Sequence, residues 1–154
     1  MKIVVDSNII FSAILNTQSR IGQLILNGSR FFDFYTISLL KDEIISHQDK
    51  ILLITGFSQL QFDNIFQLLI SRIIFVDDIL LTDSEINNAT RLVTDIDEND
   101  ALFVALNNHL SAFLWTGDKR LINGLKKKGY IKTLTTDNLF EIFIDKQLKN
   151  RSKK

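Results

Sequence analysis

The sequence predicts an α/β protein, a three-layer sandwich in which helices flank a mainly parallel central sheet of four or five strands. Three observations predict it. Short apolar runs such as Lys2 to Val5 and Ala112 to Thr116 are too continuous for half-exposed strands, so they indicate strands covered on both faces. Segments with helical spacing separate these runs, and strands alternating with helices imply parallel pairing through right-handed crossovers. The 45% hydrophobic and 23% charged content over 154 residues is that of an ordinary globular domain with one sizeable core.

In chain order, Lys2 to Val5 is the first strand. Ile9 to Leu15 and Arg20 to Leu26 form a helical pair, broken at Asn16 to Ser19 and stopped by Asn27-Gly28-Ser29. Phe31 to Ile37 has the aromatic and β-branched content of a strand. Ser38 is expected to cap a helix through LLKDEIISHQDKILLITG, broken near Gln48 and ended by Gly56. Ser58 caps the next helix, to about Arg72, and Ile73 to Val76 is a strand. Thr82-Asp83-Ser84-Glu85 opens a helix to about Val93. The segment TDIDENDALFVALNNHL reads as a helix with an acidic first turn. Ala112 to Thr116 is a strand, Lys119 to Lys128 a helix stopped at Gly129, and Ile131 to Leu134 a last strand. Thr135 or Thr136 then caps a final amphipathic helix. One domain over residues 1–146 is expected, with 147–154 as a basic, flexible tail.

Composition narrows the chemistry. The chain has no cysteine, which excludes disulfides, zinc-thiolate sites and thiol catalysis. Its two histidines, His47 and His109, lie in no motif with metal spacing. Carboxylates are therefore the obvious carriers of any catalysis. No apolar run is long enough to span a membrane and no signal-peptide pattern opens the chain, so cytoplasmic residence without membrane contact is the expectation. Formal charge is zero overall but divided, net −8 over residues 1–118 and net +8 over 119–154. That division invites an anionic partner.

In open parallel sheets, ligands bind beyond the carboxyl ends of the strands. Asp6 follows the first strand and Asp118 the fourth, so both belong at that rim if the strands are parallel. Glu43, in the helix after the second strand, and Asp100, at the start of the helix before the fourth, are placed to point back at it. Converging carboxylates raise one another's pKa values, and a divalent cation offsets that cost. Oxygen-only clusters suit Mg²⁺ or Mn²⁺, which favour phosphate-bearing substrates, so metal-dependent phosphodiester hydrolysis is the expected reaction. Each acid also has a purely structural reading: Asp6 as a helix cap, Glu43 as a solvated helix residue, Asp97 and Asp100 as a cap with an acidic third position, Asp118 as a turn residue. Trp115 is expected in the core.

Together VVDSNII, SLLKDE, DENDALFVALN and FLWTGDKRLINGL resemble the PIN domain family, small metal-dependent ribonucleases that include the VapC-like toxins of toxin–antitoxin pairs. The resemblance runs from Lys2 to about Leu125, with weaker support to Lys146, and the 18-residue step from Asp100 to Asp118 is its most specific part. It implies a PIN-like fold in which Asp6, Glu43, Asp100 and Asp118 are the metal-binding and catalytic carboxylates. Asn8 and Thr116 match supporting polar positions, and Asp97 fits a variant in which a further acid assists. The family often has another acid two residues after the position of Asp118, where this chain has Arg120, so one bound metal is at least as well supported as two. The resemblance further implies an RNA substrate, a cognate antitoxin protein and a homodimer. Lys119, Arg120, Lys126 and Lys127 follow Asp118 on a helix and are candidates for RNA-phosphate contacts. The apolar helical pair from Ile9 to Leu26 is a candidate docking surface.

Other classes fit less well. A phospho-receiver domain also has acids at strand ends, but it needs an acidic pair after the first strand and a lone Asp after the third; Asp77-Asp78 after the third strand reverses that order. A dehalogenase-like phosphatase needs an Asp where this chain has Asn8. The remaining alternative is a catalytically inactive PIN-like RNA-binding or scaffolding protein, against which the presence of all four acids argues.

Overall fold

The computed structural model describes residues 1–154. Five parallel strands form one sheet in the order β3-β2-β1-β4-β5: β1 Lys2–Val5, β2 Asp33–Ile37, β3 Ile74–Val76, β4 Phe113–Trp115 and β5 Thr133–Leu134. β1 is central, with Val4 opposite Tyr35 of β2 and Leu114 of β4, and Val5 opposite Trp115. Alternation along β1 then divides the core. Ile3 and Val5 point into one apolar cluster and Val4 into the other.

The first cluster is covered by α1 Ser7–Leu15, α2 Arg20–Gly28, α3 Leu39–Ser46, α4 Gln48–Thr55, α5 Gln59–Ile70 and α9 Thr136–Ser152. The second is covered by α6 Asp83–Val93, α7 Ala101–Leu110 and α8 Lys119–Lys127. This is the expected three-layer α/β sandwich, with every strand parallel. No helix is long and apolar enough to cross a membrane.

Local chemistry explains most boundaries. Ser58, Thr82 and Thr135 each cap a helix through a reciprocal capping box with Gln61, Glu85 and Asn138. Gly56 ends α4 at φ +71°, a conformation that favours glycine. At Gly22 a Cβ would run into the backbone carbonyl of Thr17, so the close return of the 16–19 turn onto α2 requires glycine. Trp115 is fully buried, and its indole N–H donates to Thr136 Oγ1 at 3.1 Å.

The structure departs from sequence expectation at two places. Ser38 has helical backbone angles and its side chain makes no capping bond, because the chain turns into α3 already at that residue. The break expected near Gln48 is present, the two helices meeting at His47, whose backbone N–H still donates to Glu43 and Ile44 carbonyls. Residues 147–152, expected as a flexible tail, continue α9 as regular helix through Ser152. Lys149 pairs with Asp145 one turn earlier, and Phe143 anchors the preceding turns in the core.

Candidate active site

All five strands point the same way, so the carboxyl ends of β1 and β4 meet at one rim. There β1 runs into Asp6 and β4 into Thr116, side by side by the register of Val5 and Trp115. The Asp6 backbone N–H donates to the Trp115 carbonyl at 3.1 Å, extending the ladder one step. Below it, Thr36 Oγ1 donates to the Val5 carbonyl at 2.9 Å.

Asp6 is only 2% exposed. Its Oδ1 accepts from the Ser7 backbone N–H at 2.7 Å and its Oδ2 from the Thr116 hydroxyl at 2.7 Å. Burial nevertheless pushes its carboxyl above the usual range, with the charge of Asp118 adding to the shift and these hydrogen bonds opposing it. Thr116 is fully buried and its oxygen also accepts from the Asp118 backbone N–H at 3.1 Å. One hydroxyl thus ties together the two loops that carry the strand-end acids.

Asp118 caps α8, its Oδ1 accepting from the backbone N–H groups of Arg120 at 2.9 Å and Leu121 at 3.1 Å. Asp97 lies exposed at the start of a 3₁₀ turn, Glu98–Asp100, where its Oδ1 accepts from the Asn99 N–H at 3.0 Å. Asp100 ends that turn and opens α7. Its Oδ2 is buried and has no hydrogen-bond partner. Desolvation first, then the charges of Asp6, Asp97 and Asp118, push its carboxyl up to about 7. The positive ends of α1, α7 and α8 all abut this cluster and partly offset the repulsion.

A cleft of about 470 Å³ opens over the cluster, lined by Glu43, Asp97, Asp100 and Asp118 together with Asn8, Asn99 and several apolar side chains, among them Leu40 and Phe103. Glu43, exposed on α3, forms part of the cleft wall; Asp6 lies buried beside the cleft, its neighbour Ser7 among the lining residues. The expected acids are therefore brought to one cleft. No three of the acids or histidines, however, are arranged around a common point as metal ligands. The chemistry of the donors fits a hard divalent cation: they are all carboxylate oxygens, they repel one another, and one buried oxygen is unpartnered.

Of the expected phosphate-binding cations, Arg120 and Lys127 line a neighbouring groove with Asn123 and Lys128, beside Asp95 and Ile96. Lys119 and Lys126 are exposed on α8 and line neither the cleft nor that groove. Lys128 is paired with Asp95. His109 pairs with Glu85, and His47 sits exposed at the end of α3.

Three contributors escaped the sequence reading. Ser7, whose N–H holds Asp6, could have been found from its place beside the acid. Asn99 and Phe103 carry no signal of their own, since only the turn into α7 brings them to the cleft.

A family model described as the PIN domain matches residues 4–142. Among solved structures, the chain is similar to a PilT N-terminus domain protein from the hyperthermophilic archaeon Sulfolobus solfataricus P2, with 14% identity, 93% of each chain covered and a TM-score of 0.53. No match to a curated protein was found.

Proposed function

The chain belongs to the PIN domain family, whose members are generally nucleases, and from that premise we propose that it is a metal-dependent endoribonuclease hydrolysing RNA phosphodiester bonds. The observation that carries this reading is the bare, buried Oδ2 of Asp100 in an acidic cleft, on a carboxyl pushed up to about 7 with the charges of Asp6, Asp97 and Asp118 contributing. A site of that kind is short of positive charge at neutral pH, and its all-oxygen donor set selects Mg²⁺ or Mn²⁺.

Asp6, Glu43, Asp100 and Asp118 would hold the cation, with Asp97 assisting. When bound, such an ion neutralises the carboxylates, acidifies water and stabilises the negative charge that develops on a phosphodiester. The protein's own groups do the rest. Thr116 and Ser7 fix the Asp6 carboxylate through hydrogen bonds to both its oxygens. Asn8 lines the cleft beside Glu43. Arg120 and Lys127 attract the flanking phosphates, with Lys119 and Lys126 adding to the field of α8. A toxin role under control of an antitoxin, and a homodimer, are finer readings that follow from the family alone; a short DNA-binding frame beside the gene would support them.

The test is incubation with single-stranded and structured RNA in Mg²⁺ or Mn²⁺, beside Asp6→Asn. Cleavage by the wild type that the substitution abolishes is the expected result. Cleavage that survives it points to a contaminant or a different site. Failure to cleave any of several RNAs would favour a binding or scaffolding role.

A further inference from the structure

A second groove, of about 350 Å³, lies beside the acidic cleft and shares Asn8 and Glu43 with it. Its other walls differ in character: Phe11 and Leu15 from α1, His47 at the α3–α4 junction, and Lys50, Ile51 and Ile54 from α4. Resting on the nuclease reading, we propose that this groove is a base-binding subsite in which an unpaired nucleobase of single-stranded RNA stacks on Phe11 and His47 while its phosphate lies in the cleft.

The Phe11 and His47 rings meet edge to face, with centroids 5.7 Å apart and planes at 76°. Phe11 packs partly against the core and His47 is exposed, and both rings line the groove, so π surface is left for a third flat partner. The His47 ring is also oriented. Its Nδ1 lies 2.8 Å from the Glu43 carbonyl oxygen, which can only accept, so Nδ1 carries the proton. In the neutral ring Nε2 then remains as an acceptor for a base edge. Leu15 and Ile54, 41% and 61% exposed, extend an apolar surface beside the rings, and the Lys50 ammonium offers a phosphate contact.

The occupant follows from continuity. A molecule that fills both compartments must present a phosphate to the carboxylate cleft and a flat, largely apolar group one short step away. A single-stranded nucleotide chain has that alternation. In a duplex the bases are stacked and paired, and the groove stays empty. A volume of about 350 Å³ is that of a small-ligand site rather than of a protein-docking face.

The test is equilibrium binding of fluorescein-labelled oligoadenosine and oligouridine octamers, followed by anisotropy at low ionic strength in Ca²⁺, a hard cation for the carboxylates, with the octamers verified intact after each titration. His47→Ala removes an exposed ring, and Phe11→Leu keeps apolar volume while removing the π face; melting curves verify that both fold. Wild type should prefer oligoadenosine, whose bases stack better. Each variant should weaken that binding by about tenfold and shrink the preference. Wild-type affinity in both variants, or no binding by wild type, overturns the subsite. Because no hydrolysis is involved, the two readings separate. Base-dependent binding by a protein that never cleaves RNA keeps the subsite and sinks the nuclease, while metal-dependent cleavage with unaltered variant binding does the reverse.

Discussion

Thr116 and Asp6, 110 residues apart in sequence, are joined by a 2.7 Å hydrogen bond in which the buried Thr116 hydroxyl donates to Asp6 Oδ2. Thr116 Oγ1 also accepts from the Asp118 N–H, so a single side chain sets the spacing of the acids at the ends of β1 and β4.

Thr116→Val keeps the shape of that residue and removes both bonds. A buried carboxylate oxygen then loses its donor, which costs about 1–3 kcal/mol of stability in urea unfolding. RNA cleavage should fall about 10- to 100-fold, as when a group that orients a metal ligand is lost. Thr116→Ser, which retains the hydroxyl, should recover most of both.

The Asp100 carboxyl makes stability depend on pH in a defined direction. Its folded pKa of about 7 lies above the ordinary 3.8, so between those values the folded state holds more protons than the unfolded one. Metal-free protein should therefore be most stable, as far as this group is concerned, near pH 4 and lose stability as pH rises to about 7. Asp6, shifted the same way, adds to that slope. Melting temperatures in EDTA from pH 4.5 to 8 measure it. Asp100→Asn should flatten the curve and melt higher at pH 8, where Mn²⁺ should stabilise wild type more than the variant.

Arg120 and Lys127 predict a salt signature. If each meets an RNA phosphate, Arg120→Ala and Lys127→Ala should each lower the slope of log affinity against log salt by about 0.7, the value for single strands. Lys126→Ala, outside the groove those two line, should change the slope less. Equal slopes in all three proteins and wild type would remove α8 from the RNA path.

The rim was legible in the sequence because strand ends are marked by abrupt changes of residue type. KIVV stops at Asp6 and AFLW at Thr116, and parallel pairing makes adjacent strand ends neighbours without further information. The caps at Ser58 and Thr82 were equally plain, whereas the last helix left Thr135 and Thr136 both open until the Asn138 partner of Thr135 was placed. Interactions between distant segments were not legible. Nothing local distinguishes the Thr116 hydroxyl as a bridge, or sends His47 against Phe11, because both depend on how helices settle on the sheet. The continuation of α9 through basic residues to Ser152 was missed for a related reason: composition alone reads KNRSKK as solvated chain, whereas a helix anchored by Leu139 and Phe143 propagates past its buried turns.

Placing the first strand at the centre of the sheet has a consequence for biosynthesis. β1 leaves the ribosome first, yet one of its two neighbours, β4, is not made until residue 115, and the acid beyond it not until Asp118. Native pairing on that side must wait for a loop of more than a hundred residues to close, the kind of non-local contact that slows folding. A nascent or truncated chain lacking β4 therefore has three of the five strands and an incomplete set of carboxylates. Whatever chemistry the finished molecule performs at this rim must wait until Asp118 has been made.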